Sequence, residues 1–280
     1  MTNPPALTDR RALERHRARA MPAAALFLHT EAADTIKERL NEVNRRFTQP
    51  AIVTAFPDFW QDFMPRARIV PESETLDLQE KAHDLIIHAL ALHWANDPVG
   101  TLVQCRRALR PDGLFIGVLF GGQTLHELRA CLAEAEIALS RGLSPRVLPM
   151  GEIRDLGALL QRAGFAMPVA DSLPLVVSYE TPFHLMRDLR AMGETNALAA
   201  RHRRFAPRVL FAEAARRYEA AFADGDGRIR ATFEMIFLTG WAPSPDQPRP
   251  LRPGSAQARL ADALGSAEFP LPDDAPKQRN

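Results

Sequence analysis

Four stretches of this chain hold residue types able to do chemistry. Leu92-His93-Trp94 follows the apolar run Leu85-Ile86-Ile87, so an imidazole and an indole N–H stand where a buried strand would end. The carboxyl edge of an open α/β sheet is where ligands bind, and there His93 would orient a polar group or move a proton while Trp94 lined a pocket. The plain alternative is that both pack the strand end. Phe120-Gly121-Gly122 closes a second apolar run, with Thr124, Glu127 and Arg129 just beyond. A glycine pair before a helix lets backbone N–H groups face an anion. A capping box from Thr124 to Glu127 explains those two residues equally well and leaves Arg129 and the glycines unassigned. Glu194 and Asn196 form the third stretch, a candidate lid contact. The fourth, Thr54-Ala55-Phe56-Pro57-Asp58, lies at a strand-to-helix turn and contains no glycine. All fifteen glycines of the chain fall between Gly100 and Gly265. A turn that admits a nucleotide needs bare backbone and positive φ, so this one departs from the pattern its position suggests.

The elements that would position these residues can be read from spacing. Ala33, Ile36, Leu40 and Val43 predict a helix over 31–47, followed by a strand at Ala51–Ala55. Residues 67–78 read as extended and irregular, and 83–90 as a buried strand. A helix over 98–109 should end at the turn Pro111-Asp112-Gly113, before a strand at Leu114–Phe120. Helices are expected to Gly142 and from Glu152 to Ala163, the latter capped by Gly164 with Phe165 beyond it. A strand at 169–179, helices at 183–192 and 208–223 and a strand at 231–241 complete the pattern. Alternation of this kind predicts a mostly parallel sheet with helices on both faces. Three parts are expected: a basic, solvated helical segment at 1–28, the main domain at 29–242 and a proline-rich tail at 243–280, with Leu260, Ala263 and Leu264 docking as a helical turn.

Composition narrows the function classes. The 280 residues are 46% hydrophobic, with 35 basic and 34 acidic side chains and a net charge of +1. A core of ordinary size is expected, with no global field toward nucleic acid. Cys105 and Cys131 are read as buried thiols in a reduced compartment. No apolar run approaches the roughly 20 residues of a membrane span, which leaves peripheral contact as the only expected membrane association. His126, His184 and His202 lack metal-ligand spacing, so no metal is expected. The basic stretch Arg201, Arg203, Arg204 and Arg208 reads as solvated or as a contact for an acidic surface. No Walker loop, paired-cysteine motif or serine-hydrolase order is present.

The runs His83-Asp84-Leu85-Ile86-Ile87, Leu92-His93-Trp94-Ala95-Asn96-Asp97 and Leu109-Arg110-Pro111-Asp112-Gly113-Leu114-Phe115-Ile116-Gly117 resemble class I S-adenosylmethionine methyltransferases. Within them the chain resembles the branch holding the biotin-pathway malonyl carrier-protein methyltransferase and the mitochondrial complex I assembly factor that hydroxylates an arginine. Phe120-Gly121-Gly122, Arg162-Ala163-Gly164-Phe165, Met192-Gly193-Glu194 with Asn196, and the opening Asp9-Arg10-Arg11 favour the assembly-factor side. The resemblance spans roughly residues 7 to 265 and implies a Rossmann-like methyltransferase fold. It also implies S-adenosylmethionine as cofactor, an arginine hydroxylase or methyltransferase activity, and a respiratory-complex subunit as client. The implied location is bacterial cytoplasm beside the inner membrane, or the mitochondrial matrix in a eukaryote.

Where that family has a glycine-rich turn ending in Asp-Leu-Gly-Cys, this chain reads Thr54-Ala55-Phe56-Pro57-Asp58, and Pro57 lacks an N–H. The interval to His83 is also short, so the second strand, whose terminal acid would hold the ribose, is expected to be missing or rebuilt. Asp58 is either a displaced acidic anchor or a helix-end aspartate. The leading expectation is a degenerate cofactor site on a protein-binding or maturation factor, whose cleft is edged by Leu92, His93, Trp94, Phe120, Gly121, Gly122, Arg129, Glu194 and Asn196. The rival is an active S-adenosylmethionine-dependent enzyme with a rebuilt site. An open cavity at the end of the first strand would favour the rival; filling by Phe56, Phe59 or Trp60 would favour the first.

Overall fold

The computed structural model describes residues 6–20, 25–140, 142–248 and 265. The chain divides into two compact units, Met1–Ser244 and Pro245–Asn280. Most of the proline-rich tail, with Leu260, Ala263 and Leu264, lies outside the described residues.

The first unit is a six-stranded sheet in the order β2-β1-β3-β4-β6-β5. Its strands are β1 Pro50–Thr54, β2 Arg68–Pro71, β3 His83–Ala89, β4 Leu109–Phe120, β5 Ala166–Tyr179 and β6 Ile229–Trp241. The pairs β1–β2, β1–β3 and β3–β4 are parallel, while β6 runs antiparallel to both β4 and β5. Thus one half is parallel as expected and the other is an antiparallel end. This is a Rossmann-like layout, a parallel half continued by an antiparallel pair of strands.

Strand composition follows burial. Leu85, Ile86 and Ile87 of β3 are all fully buried, as expected for a parallel strand covered on both faces. Ile52, Leu85, Ile87 and Ile116 point to one core, with Ala51, Val53, Ile86 and Phe115 facing the other. Edge strand β5 alternates between half-buried and exposed positions over most of its length.

Helices α2 Phe27–Val43, α3 Pro57–Phe63, α5 His126–Ser140, α7 Pro182–Ala191 and α8 Arg208–Phe222 supply the first core. Helices α4 Pro98–Ala108 and α6 Ile153–Ala163 supply the second. α2 buries Leu28, His29, Ala32, Ala33 and Ile36, one helical face, and stops at Asn44 in the left-handed region (φ 49°). α6 ends on Gly164 at φ 82°, and the Phe165 N–H donates to the Leu160 carbonyl at 3.0 Å. That is the glycine cap read from the sequence.

Three local expectations are corrected. The irregular 67–78 stretch contains β2, so the shortened interval still places a strand beside β1. Pro111-Asp112-Gly113 is not a break between helix and strand: β4 runs through it from Leu109, with Asp112 at φ 60°. The N-terminal basic helix α1, Arg10–Ala18, is not simply solvated, since Ala12 and Leu13 are buried with Trp94, Leu148, Ala197 and Leu198.

Candidate functional site

The chain leaves β1 toward β2 on one side and returns through β3 on the other. This strand reversal opens a crevice at the carboxyl edge. α1 and the segment 192–201 lie over that edge and hold each other. The Asp9 N–H donates to the Ala197 carbonyl at 2.8 Å, Arg201 Nη2 donates to Asp9 Oδ2 at 2.9 Å, and Thr8 and Leu198 form a β-bridge. Gly193 sits at φ 76°, and a Cβ there would lie 3.2 Å from Arg17 Cα. The opening motif and the Met192-Gly193-Glu194 motif are therefore two sides of one contact.

Glu194 is the chemical centre of the edge. Its Oε2 accepts from Trp94 Nε1 at 2.6 Å and from His93 Nε2 at 3.2 Å, and its side chain is only 11% exposed. Burial raises its carboxyl pKa, but His93, Arg17 and the Trp94 N–H outweigh that and hold it below the usual carboxylate range. An ionised carboxylate, which only accepts, assigns the Nε2 proton to His93. Nδ1 of His93 is buried with no partner among the described residues.

Glu194 borders a cavity of about 250 Å³ whose other walls are largely apolar: Leu28, Trp94, Phe120, Leu125, Leu128, Met186, Phe211 and Phe233, with Asn196 at one side. Arg146 also lines it, but is paired to Glu136 at 2.6 Å. Burial raises the Glu136 carboxyl, and Arg146 and Ser144 more than reverse this, to about 2. Arg190 on the same wall is exposed.

A second cavity of about 330 Å³ lies at the ends of β1 and β2, between Thr54, Ala55, Pro57, Ile69, Pro71, Glu72, Arg10, Glu14 and Arg17. Phe56 does not fill it. That ring packs in the α2 core with its centroid 4.9 Å from His29, and Trp60 is fully buried there, its Nε1 donating to His29 Nδ1 at 3.1 Å. Burial lowers the His29 pKa to about 4, so it accepts as neutral imidazole. The Phe56 N–H is taken by the Thr54 hydroxyl at 3.0 Å, and Pro57 has no N–H. Asp58 is exposed in the first turn of α3, the helix-end role of the two weighed above.

Glu72, directly after β2, was not singled out in the sequence. Its carboxylate is 5% exposed and pairs with both Arg10 and Arg17. Arg17 is 11% exposed. Burial lowers its pKa to about 10, Glu194 opposing, which leaves it charged at neutral pH. Its Nε and Nη2 find no acceptor among the described residues.

Of the residues singled out beforehand, Trp94, Phe120, Glu194 and Asn196 line the apolar cavity, and His93 supports Glu194 from behind. Others do different work. Leu92 is buried in the core on the α4 side. A Cβ on Gly121 would meet Ile236 and Glu234 at 2.5 and 2.6 Å, and one on Gly122 would meet Glu152 at 2.4 Å, so packing explains the pair. Arg129 Nη2 donates to the Gly122 and Thr124 carbonyls and ties the turn down. The capping box does not form. The Thr124 hydroxyl bonds the backbone of Glu234, while Glu127 crosses to the Thr232 hydroxyl and N–H. Among the described residues no cluster fit for a metal ion occurs and no helix is long and apolar enough to cross a membrane.

Residues 20–117 match a family model described as a methyltransferase domain. The mitochondrial arginine-hydroxylase NDUFAF5 of Danio rerio is 37% identical over 199 residues, which are 71% of this chain and 62% of that one. Its Homo sapiens counterpart is 37% identical over 209 residues, 75% and 60% of the two chains. The malonyl-(acyl-carrier protein) O-methyltransferase of Laribacter hongkongensis is 36% identical over 190 residues, 67% and 61%. A solved S-adenosylmethionine-dependent methyltransferase from Thermotoga maritima aligns over 83% of this chain and 98% of that one, at 10% identity and a TM-score of 0.43. The chain spans about three fifths of the length of these three curated relatives. The chain is thus similar over residues 20–117 to a methyltransferase domain, and over longer stretches both to mitochondrial NDUFAF5 arginine hydroxylases and to bacterial malonyl-(acyl-carrier protein) O-methyltransferases.

Proposed function

We propose that this chain is a protein-maturation factor that receives a cationic side chain of a client protein, an arginine above all, in the apolar cavity ending at Glu194. The carrying observation is the buried, ionised carboxylate of Glu194 at the end of a cavity whose walls are largely apolar. The names of the two groups of relatives point to opposite charges, an arginine in one and a malonyl group, which bears a free carboxylate, in the other. An ionised Glu194 attracts a guanidinium and repels a malonyl carboxylate. The apolar walls suit the methylene stem of arginine, which long cationic side chains bury readily. His93 and Trp94 hold the Glu194 carboxylate in place by donating to one of its oxygens. The client would be a subunit of a respiratory complex, presented at the inner face of its membrane.

The test is a calorimetric titration with three pentapeptides that differ only in a central arginine, norleucine or aspartate. The arginine peptide should bind best and lose its advantage in Glu194→Gln. Equal binding of the three, or preference for aspartate, would overturn the reading.

A second reading, a working S-adenosylmethionine-dependent transferase, is favoured by one observation: the cavity beside Thr54 and Ala55 is open. The residues around it do not fit that cofactor as they are arranged. The turn's Phe56 N–H is already used, Pro57 offers none, and the acid Glu72 is bound to two arginines. Those guanidinium groups would also face a sulfonium of like charge.

A further inference from the structure

We infer that the client carries an acidic residue within two positions of its arginine, and that Arg190, with Arg187 and Arg208 beside it, selects for that acid at the cavity that ends at Glu194. The inference rests on the reading that this cavity takes a guanidinium.

The cavity presents opposite charges at two places, and the end of α7 separates them. Gly193 takes a φ of 76°, its N–H donates to the Arg190 carbonyl at 3.1 Å, and the Glu194 N–H donates to the Leu189 carbonyl at 2.8 Å. This glycine cap turns the chain out of the helix. Glu194 is thereby buried against His93 and Trp94, while Arg190, four residues earlier, stays exposed on the wall of the same cavity. Opposite charges four apart on a helix often pair, but here Glu194 pairs with His93 instead.

Arg190 does not stand alone. Arg187 lies one turn before it on α7, and Arg208 lies one turn before Phe211, which lines the cavity from α8. All three arginines are exposed, and none has a carboxylate partner among the described residues. Other arginines of this region are neutralised within the chain: Arg146 by Glu136, Arg201 by Asp9, and Arg217 by Glu134 and Glu213. Attraction to the helix dipole accounts for Arg190 in the last turn of α7. It does not account for Arg208, the first residue of α8, where a cation opposes the dipole.

An arginine on its way to Glu194 therefore meets like charge first. A carboxylate one or two residues along the client, about 3.3 Å per extended residue, turns that repulsion into attraction. An exposed pair is too weak to hold an acid by itself, so these arginines discriminate among arginine clients and do not capture acids.

The experiment is calorimetry at low salt on the full chain with acetylated, amidated pentapeptides, whose only carboxylates are side chains. Arginine is central, flanked two positions away on both sides by glutamate, glutamine or lysine, and each peptide is also made with norleucine in place of arginine. The glutamate peptide should bind about fivefold tighter than the glutamine peptide, and the lysine peptide most weakly. Arg190→Gln should cut this preference to about twofold, and Arg187→Gln/Arg190→Gln/Arg208→Gln or high salt should remove it. Equal binding of the glutamate and glutamine peptides, with arginine still preferred to norleucine, overturns the inference and leaves the proposed function standing. No preference for arginine over norleucine with any flank overturns both. A glutamate preference that survives in the triple variant overturns the role of these arginines. So does a gain that appears only when the peptide's terminal amide is replaced by a free carboxylate. A role for Arg190 confined to the helix dipole would lower the melting temperature of Arg190→Gln and leave the order of the peptides unchanged, which also overturns it.

Discussion

Glu194 illustrates how a carboxylate stays charged in an apolar place. Its three stabilising neighbours come from far along the chain: His93 and Trp94 from the turn after β3, Arg17 from α1. Glu194→Gln keeps the shape and removes the charge. Its expected effect on binding of an arginine peptide is a loss of about 10- to 100-fold, the worth of a charge-assisted hydrogen bond. Calorimetry reads it directly, and unchanged affinity would show that the guanidinium is held elsewhere. His93 and Trp94 were visible in the sequence as polar groups at a strand end, but their target was not. Glu194 is 101 residues from His93, and no spacing rule links positions so far apart. Glu72 was hidden for the same reason, since its partners Arg10 and Arg17 read locally as solvent-facing arginines of a basic helix.

At the scale of elements, what depends on local pattern was legible and what depends on distant partners was not. The stripe of α6 and its Gly164 cap involve neighbours only, and both appear where the sequence places them. β2 is four residues long, begins with Arg68 and ends with Pro71, too little pattern to distinguish from a loop. The Thr124–Glu127 capping box failed because β6 offers both side chains better partners than their own helix does. α1 tests the same idea. Asp9 caps it through Ala12 N–H at 3.1 Å and also pairs with Arg201. Asp9→Ala should therefore cost about 1–2 kcal/mol, read as a lower urea midpoint. A shift no larger than that of a surface alanine substitution would show that the cap is dispensable.

For the molecule as a whole, buried histidines set the acid limit. Burial lowers His29 to about 4 and His88 to about 3, against an unfolded value near 6.5. Below 6.5 the unfolded chain binds protons that the folded one refuses, so stability falls as pH drops from 6.5 toward 4. At pH 5 the expected loss is about 2 kcal/mol per histidine. Thermal melts at pH 7 and pH 5 should show it, with a smaller drop in His29→Gln, whose side-chain carbonyl still accepts from Trp60. A flat profile would mean that these sites admit protons. The thiols give a separate check. Burial pushes Cys105 up to about 12 and Cys131 up to about 11. A thiol reagent should therefore label neither in native protein at pH 8, and both after urea.

The central claim is the sign of the ligand at Glu194, and the most direct test is a pair of small molecules of similar length and opposite charge. Butylguanidinium and hexanoate would each be titrated while tryptophan fluorescence is followed, with Trp94→Phe as the reference. The account predicts a saturable change with butylguanidinium that is lost in Glu194→Gln, and none with hexanoate; saturation by hexanoate alone would contradict it.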